Sequence, residues 1–196
     1  MLPPPIPGII LAAGKGLRMG QNKLLLPFNN KPILQHVLDT AAPTSLSPLI
    51  LVVRPESNKL QKQINRGRAI VITNHDALKG YSSSLQAGLK AIPDQCAGAM
   101  FLLGDQPLLQ VDTIEKLVHA FQKEPLRWIA PSWRGQRGNP VITPASWFDR
   151  IFALSGDTGP RKHLKDSAAN LKTIEVDDEG VVFDIDSRED YERLIL

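Results

Sequence analysis

Cysteine is almost missing from this chain: Cys96 stands alone among 196 residues. A lone thiol excludes an internal disulfide framework and a thiolate zinc site, and leaves a small core or surface thiol. Long apolar runs are missing too. No stretch approaches the roughly eighteen to twenty apolar residues of a membrane span, and the opening MLPPPIPG has neither a basic nor an apolar leader region. A cytoplasmic protein with no membrane contact is expected. Aromatics are sparse at 6% and the formal charge is only +3, with the bases scattered, which argues against a nucleic-acid surface. His36, His75, His119 and His163 show no metal-ligand spacing and are expected to be structural.

Acids are missing where the charge pattern matters most. Before Asp39 there are four bases and no acid, whereas from Glu175 onward nine acids face only Arg188 and Arg193. If both ends meet in one cleft, the basic end suits phosphates and the acidic end suits a divalent cation.

What is present is an ordinary apolar content, 42%, and a length that suits one good-sized core, so one domain over residues 1–196 is expected. Apolar runs of strand length alternate with segments of helical period, the signature of a layered α/β domain with a largely parallel sheet. Strands are expected at Gly8 to Ala12, Leu49 to Val53, Ala69 to Thr73 and Ala99 to Leu103. Helices are expected after Pro32, over Asn58 to Asn65, over Ser82 to Ile92, and over Thr113 to Gln122 capped by Asp112. Further on, the alternation weakens. Short strands at Trp128 to Pro131, Pro140 to Thr143, Leu171 to Val176 and Val181 to Asp184 flank helices near Ala145 to Ala153 and Gly159 to Lys165, and Ser187 caps a closing helix.

The most informative stretch is IILAAGKGLRMGQNKLLL, Ile9 to Leu26. A strand that empties into a glycine-rich loop carrying Lys15, Arg18 and Lys23 is a site for a phosphate chain. It is not a P-loop, because the chain contains no Gly-Lys-Ser or Gly-Lys-Thr. Nor is it the dinucleotide loop, since the interval from Gly16 to Gly20 is too long and no acid ends the next strand. The alternative is a plain turn with solvated cations.

LAAGKGLRMGQNKLLLP resembles the signature of nucleotidyltransferases with a Rossmann-like, nucleotide-diphospho-sugar transferase type of fold. Within them the chain is most similar to the molybdenum cofactor cytidylyltransferases and their guanylyltransferase-like relatives. GYSSSLQAGL, LLGDQPLL, RGNPVI, GDTGPRKHL and DIDSREDY look like further family blocks in the family's order. The resemblance implies an α/β three-layer sandwich with a mostly parallel sheet. It also implies transfer of a nucleotidyl group from a triphosphate to a phosphorylated acceptor, with pyrophosphate leaving. Its N-terminal half would bind the nucleotide and its C-terminal half the acceptor.

By that resemblance Arg18, Lys23 and Asp105 would be catalytic. Leu11, Ala12, Ala13, Gly14, Gly16, Asn74 and Ser83 would join them around the nucleotide, although the serine run would cap a helix in any protein. Magnesium, or manganese, would be held by Asp105 and Asp186, with Asp184 as the other choice. Asn139, Asp157 and Arg161 would meet the molybdopterin-type acceptor. Guanylyl-transferring relatives tend to have Gly-Gly where this chain has Ala13 and Gly14. The added Cβ narrows the space beside the base and favours CTP. Two positions depart from the family: Asn30 for a turn glycine, and Pro160 for alanine. Two other readings remain beside this one: the same fold acting on GTP or another phosphorylated acceptor, and a non-catalytic carrier delivering the cofactor to a molybdoenzyme.

Overall fold

Runs without polar alternation, such as GIIL and LILVV, fit strands covered on both faces. A computed structural model, describing residues 4–14, 22–159 and 170–196, sets these two side by side within one sheet. In chain order the elements are β1 (Gly8–Leu11), β2 (Pro27–Phe28), β3 (Lys31–Pro32), α1 (Ile33–Ala41), β4 (Leu49–Val53), α2 (Asn58–Gln63), β5 (Ile70–Thr73) and α3 (Tyr81–Leu89). They continue with β6 (Gly98–Leu103), α4 (Val111–Lys123), β7 (Trp128–Trp133), β8 (Gln136–Arg137), β9 (Val141–Pro144), α5 (Phe148–Phe152), β10 (Leu171–Glu175) and α6 (Arg188–Ile195).

The strand order is β10-β7-β9-β6-β1-β4-β5, with β8 paired to β7. Neighbours are parallel except around β9, which runs antiparallel to β6 and β7, and at β8. Alternate strand residues feed two cores. Ile10, Leu51 and Leu102 join Leu34 of α1 and Leu117 and Phe121 of α4 on one face. Ile9, Ile50 and Phe101 join Leu85 of α3 and Ile151 of α5 on the other. The result is a three-layer α/β sandwich of Rossmann-like type. Ile9 and Ile10 are wholly buried, and burying such a side chain is worth about 1.5–3 kcal/mol.

A smaller cluster of Leu26, Ile33 and Ile185, with Tyr191 and Leu194 packed against it, docks α6 on the β2–β3 hairpin. At the hairpin tip Asn29 and Asn30 have φ of +44° and +62°. Asparagine therefore supplies the left-handed turn in which glycine is commoner.

The chain path makes the crevice. From β1 it steps outward through β4 to β5, and α3 then carries it back to β6 on the far side of β1. The order reverses between β1 and β6, and an open parallel sheet takes its ligand beyond the carboxyl ends of such strands. Here the Gly104 N–H donates to the Leu11 carbonyl at 3.0 Å, and a Cβ on Gly104 would stand 2.9 Å from that oxygen.

Two elements depart from the sequence expectation. Residues 181–184 form no strand; a 3-10 turn, Glu179–Val181, precedes irregular chain. The cause is Asp178, whose buried carboxylate accepts from the Gly180 N–H, the Gln110 N–H and the Thr113 hydroxyl. The same carboxylate relieves Asp112 of capping. Helix α4 starts at Val111, with Gln110 at its cap and Asp112 inside the first turn. The helix expected from Gly159 to Lys165 lies outside the described residues beyond Gly159 itself. Among the described residues no helix is long and apolar enough to cross a membrane.

Candidate active site

At the reversal point lies a cavity of about 550 Å³. Its walls come from the end of β1 (Leu11 to Gly14), the end of β6 (Leu103, Asp105), the turn around Lys23 and the loop leading into α3. Asn22 opens the Lys23 turn: its side chain accepts the Leu24 N–H at 3.1 Å and starts the 3-10 turn Lys23–Leu25, pinned by buried Leu24. The Lys23 ammonium then reaches Asp105 Oδ2 at 2.6 Å and Asp186 Oδ1 at 2.8 Å.

Asp105 is delivered by β6, and Asp186 by the acidic tail. The N–H of buried Ile185 donates to the Asp105 carbonyl at 3.2 Å, and the Asp186 N–H donates to Asp190 Oδ2 at 3.1 Å. The Lys23 and Asp105 side chains each keep 17% of their surface, whereas Asp186 keeps 55%. Burial alone would lower the Lys23 pKa, but the pull of Asp105, then that of Asp186, outweighs it and raises the value above 10.5. Burial, followed by the charges of Asp105 and Asp186, pushes the Asp184 carboxyl above 3.8 against the opposing pull of Lys23. Among the described residues, Asp105 and Asp186 share the Lys23 ammonium, and Asp184 lies within range of both charges.

That donor set fits a hard divalent cation. Two carboxylates converge on one positive centre, and magnesium or manganese takes such oxygens together with water and phosphate oxygens. Among the described residues no group of three metal-ligating side chains comes together. Such an ion would complete its shell from a bound phosphate chain.

The opposite wall depends on buried Asn74. Its amide donates to the Ser83 and Ser84 hydroxyls at 2.9 and 3.1 Å, and its oxygen accepts the Asp76 N–H at 3.0 Å. Gly80 then turns with φ +101°, where a Cβ would stand 2.4 Å from the Gly156 carbonyl carbon. That approach lets the N-terminal N–H groups of α3 be capped from afar. Tyr81 donates to Asp157 Oδ1 and Ser82 to the Gly156 carbonyl, each at 3.1 Å.

Residues 8–173 match the MobA-like NTP transferase domain family. The chain belongs to that family. Nucleotidyltransferase activity is supported by the membership. The chain is 32% identical over 201 residues to the purine catabolism protein PucB of Bacillus subtilis, covering 98% of this chain and 97% of the relative. It is 27% identical over 187 residues to the molybdenum cofactor cytidylyltransferase of Escherichia coli, covering 93% and 92%. The crystal structure of Rv0371c from Mycobacterium tuberculosis superposes with a TM-score of 0.86 at 25% identity, over 100% of this chain and 99% of that one. Rv0371c has also been solved in complex with manganese, with a TM-score of 0.81 at 23% identity over 97% and 98% of the two chains. The sheet and its helices are thus of the nucleotide-diphospho-sugar transferase type.

The residues singled out from the MobA-like sequence pattern sort into three groups. Leu11, Ala12, Ala13, Gly14, Lys23, Asp105, Asp157 and Asp186 all line the cavity. Asn74, Ser83 and Asn139 are not part of its lining. Asn74 and Ser83 are bonded to each other, the Ser83 hydroxyl also donating to the Gly80 carbonyl at 2.7 Å, and the Asn139 N–H donates to the Val181 carbonyl at 2.8 Å. Gly16, Arg18 and Arg161 lie outside the described residues, as does His163. His36 is structural, its Nε2 lying 2.8 Å from the Phe28 carbonyl. Sequence reasoning missed Leu78 and Tyr81 on the cavity wall, and Ser84 of the serine run Ser82 to Ser84 lines it beside them. Ser84 lies one turn from Tyr81 at the start of α3, so the two face the cavity together, and Ser83 does not.

Proposed function

We propose that this chain transfers CMP from CTP to a phosphate of a molybdopterin-type cofactor. The convergence of Lys23, Asp105 and Asp186 at a cavity beyond β1 and β6 carries the reading. An acceptor phosphate oxygen attacks the α-phosphorus, the bond from that phosphorus to the bridging oxygen of the β-phosphate breaks, and pyrophosphate leaves with the electron pair. The protein's work in such a displacement is alignment and charge neutralisation.

Among the described residues, no atom beyond Gly14's own chain neighbours lies within 4 Å of where a Cβ would stand, which suits a phosphate chain. Lys23 balances its charge, and the family resemblance assigns Arg18 and Gly16 to the same triphosphate. Asp105 and Asp186 would hold magnesium or manganese, which when bound offsets the charge of the triphosphate and the leaving group. Asp157, Asn139 and Arg161 serve the acceptor. CTP is favoured because Ala13 lines the cavity and its Cβ narrows the space for a purine, and because one near-full-length relative is named a cytidylyltransferase.

A pyrophosphate-release screen of the four triphosphates, with and without molybdopterin, tests this. Release is expected with CTP plus molybdopterin. A clear preference for GTP would sink the steric reasoning about Ala13. Cofactor binding without release from any pair would replace the enzyme with a carrier.

A further inference from the structure

Lys23 does not point freely into the cavity. Its ammonium sits between Asp105 Oδ2 and Asp186 Oδ1, at 2.6 and 2.8 Å, the same two carboxylates that would hold the divalent cation. A divalent cation held by the same two carboxylates would stand within a few ångströms of the ammonium and be repelled by it, so the two compete for this site. We propose that Lys23 is a built-in placeholder for the metal: in the nucleotide-free protein it competes with the divalent cation for Asp105 and Asp186, and it swings away when the cation enters. This rests on the metal assignment made above and goes beyond it.

The placement favours an exchange of this kind. Lys23 is fixed at its backbone by the Asn22 turn, while its long side chain alone spans the distance to the carboxylates. One of its two partners, Asp186, is 55% exposed, so that contact is screened by solvent and weak, and Asp105 is the partner from which the ammonium must be displaced. Leu11, Gly14 and Lys23 border the same cavity, so an ammonium displaced from the carboxylates has a phosphate chain as its next partner. Metal and triphosphate would then bind cooperatively, each relieving a cost to the other, and by linkage the effect is reciprocal. If the latch is closed about nine-tenths of the time, it weakens metal binding to the free protein about tenfold.

The test is manganese binding to the nucleotide-free protein, followed by the electron paramagnetic resonance signal of the free ion. Lys23→Gln is expected to bind manganese about tenfold more tightly than the wild type, Lys23→Arg to stay within about threefold of it, and Asp105→Asn to lose binding. Equal affinity in the wild type and Lys23→Gln, with binding lost in Asp105→Asn, overturns the placeholder and leaves the metal assignment standing. No binding by either protein overturns both. Equal tightening by Lys23→Arg also overturns the placeholder, because the charge would then be irrelevant. A measurement on the wild type avoids dependence on any variant's folding. Acetylation of Lys23, followed by mass spectrometry and referred to exposed Lys59, is expected to accelerate at saturating manganese. An unchanged ratio overturns the proposal.

Discussion

Replacing Lys23 and Asp105 separately and together measures what their contact is worth to the folded protein. Two unit charges 2.6 Å apart attract by about 1.6 kcal/mol in water and by about 6 kcal/mol at an effective dielectric near 20. Desolvation opposes the gain, since each side chain keeps only 17% of its surface. The net coupling is then about 1–2 kcal/mol. Lys23→Met removes the ammonium that Asp105 and Asp186 share, and Asp105→Asn leaves a largely buried ammonium with Asp186 as its charged partner among the described residues. Each single substitution should cost about 1–2 kcal/mol in urea unfolding at pH 7, and the double variant should cost less than their sum by the coupling energy. The sign of the pH dependence follows from Lys23, whose pKa is raised above its ordinary 10.5. Its contribution is complete below that value and is lost only as pH rises through the folded value, so the coupling should hold constant across neutral pH. Strict additivity of the two single substitutions at pH 7 would refute the reasoning.

Three other outcomes follow from single contacts. The Arg68 guanidinium donates to the carbonyls of Ala41, Ala42, Thr44 and Leu46 at 2.7–3.3 Å, closing the end of α1; Arg68→Met should cost about 1–3 kcal/mol in thermal unfolding. Gly80→Ala forces a side chain into φ +101° and against the Gly156 backbone, and should destabilise by more than about 1 kcal/mol while speeding amide exchange at the start of α3. The Asp190 carboxyl is held below its ordinary 3.8, chiefly by the Ser187 side chain and against opposing burial. Its capping contribution is therefore present above that value and lost as pH falls through the folded pKa, so exchange in α6 should accelerate in acid, and at every pH in Asp190→Ala.

Much of the fold is legible in the sequence for a physical reason. β1, β4 and β6 are continuous apolar runs, and α4 carries a stripe at helical spacing, so each element announces its own burial. Ser187 likewise marked the start of α6, where it forms a capping box with Asp190. Pairing partners are not written in such local patterns. Nothing in VITP says that β9 inserts antiparallel between β6 and β7, and nothing near Asp178 says that its carboxylate will cap a helix from across the fold. The site divides in the same way. The charge asymmetry between the chain's two ends foresaw that Lys23 and Asp186, 163 positions apart, could share a cleft. It could not foresee that the lysine would occupy the carboxylates itself. Within the serine run the wall residue is Ser84, one turn after Tyr81, and the start of α3 at Tyr81 that sets this phase is not marked by any local signal.

The most direct measurement follows the α-phosphate. CTP labelled there, incubated with molybdopterin and a divalent cation, should place its label on the acceptor and release unlabelled pyrophosphate. Asp105→Ala should slow that transfer by about a hundredfold or more. Label that stays in CTP, or an acceptor that takes up the terminal phosphate instead, would contradict nucleotidyl transfer at this site.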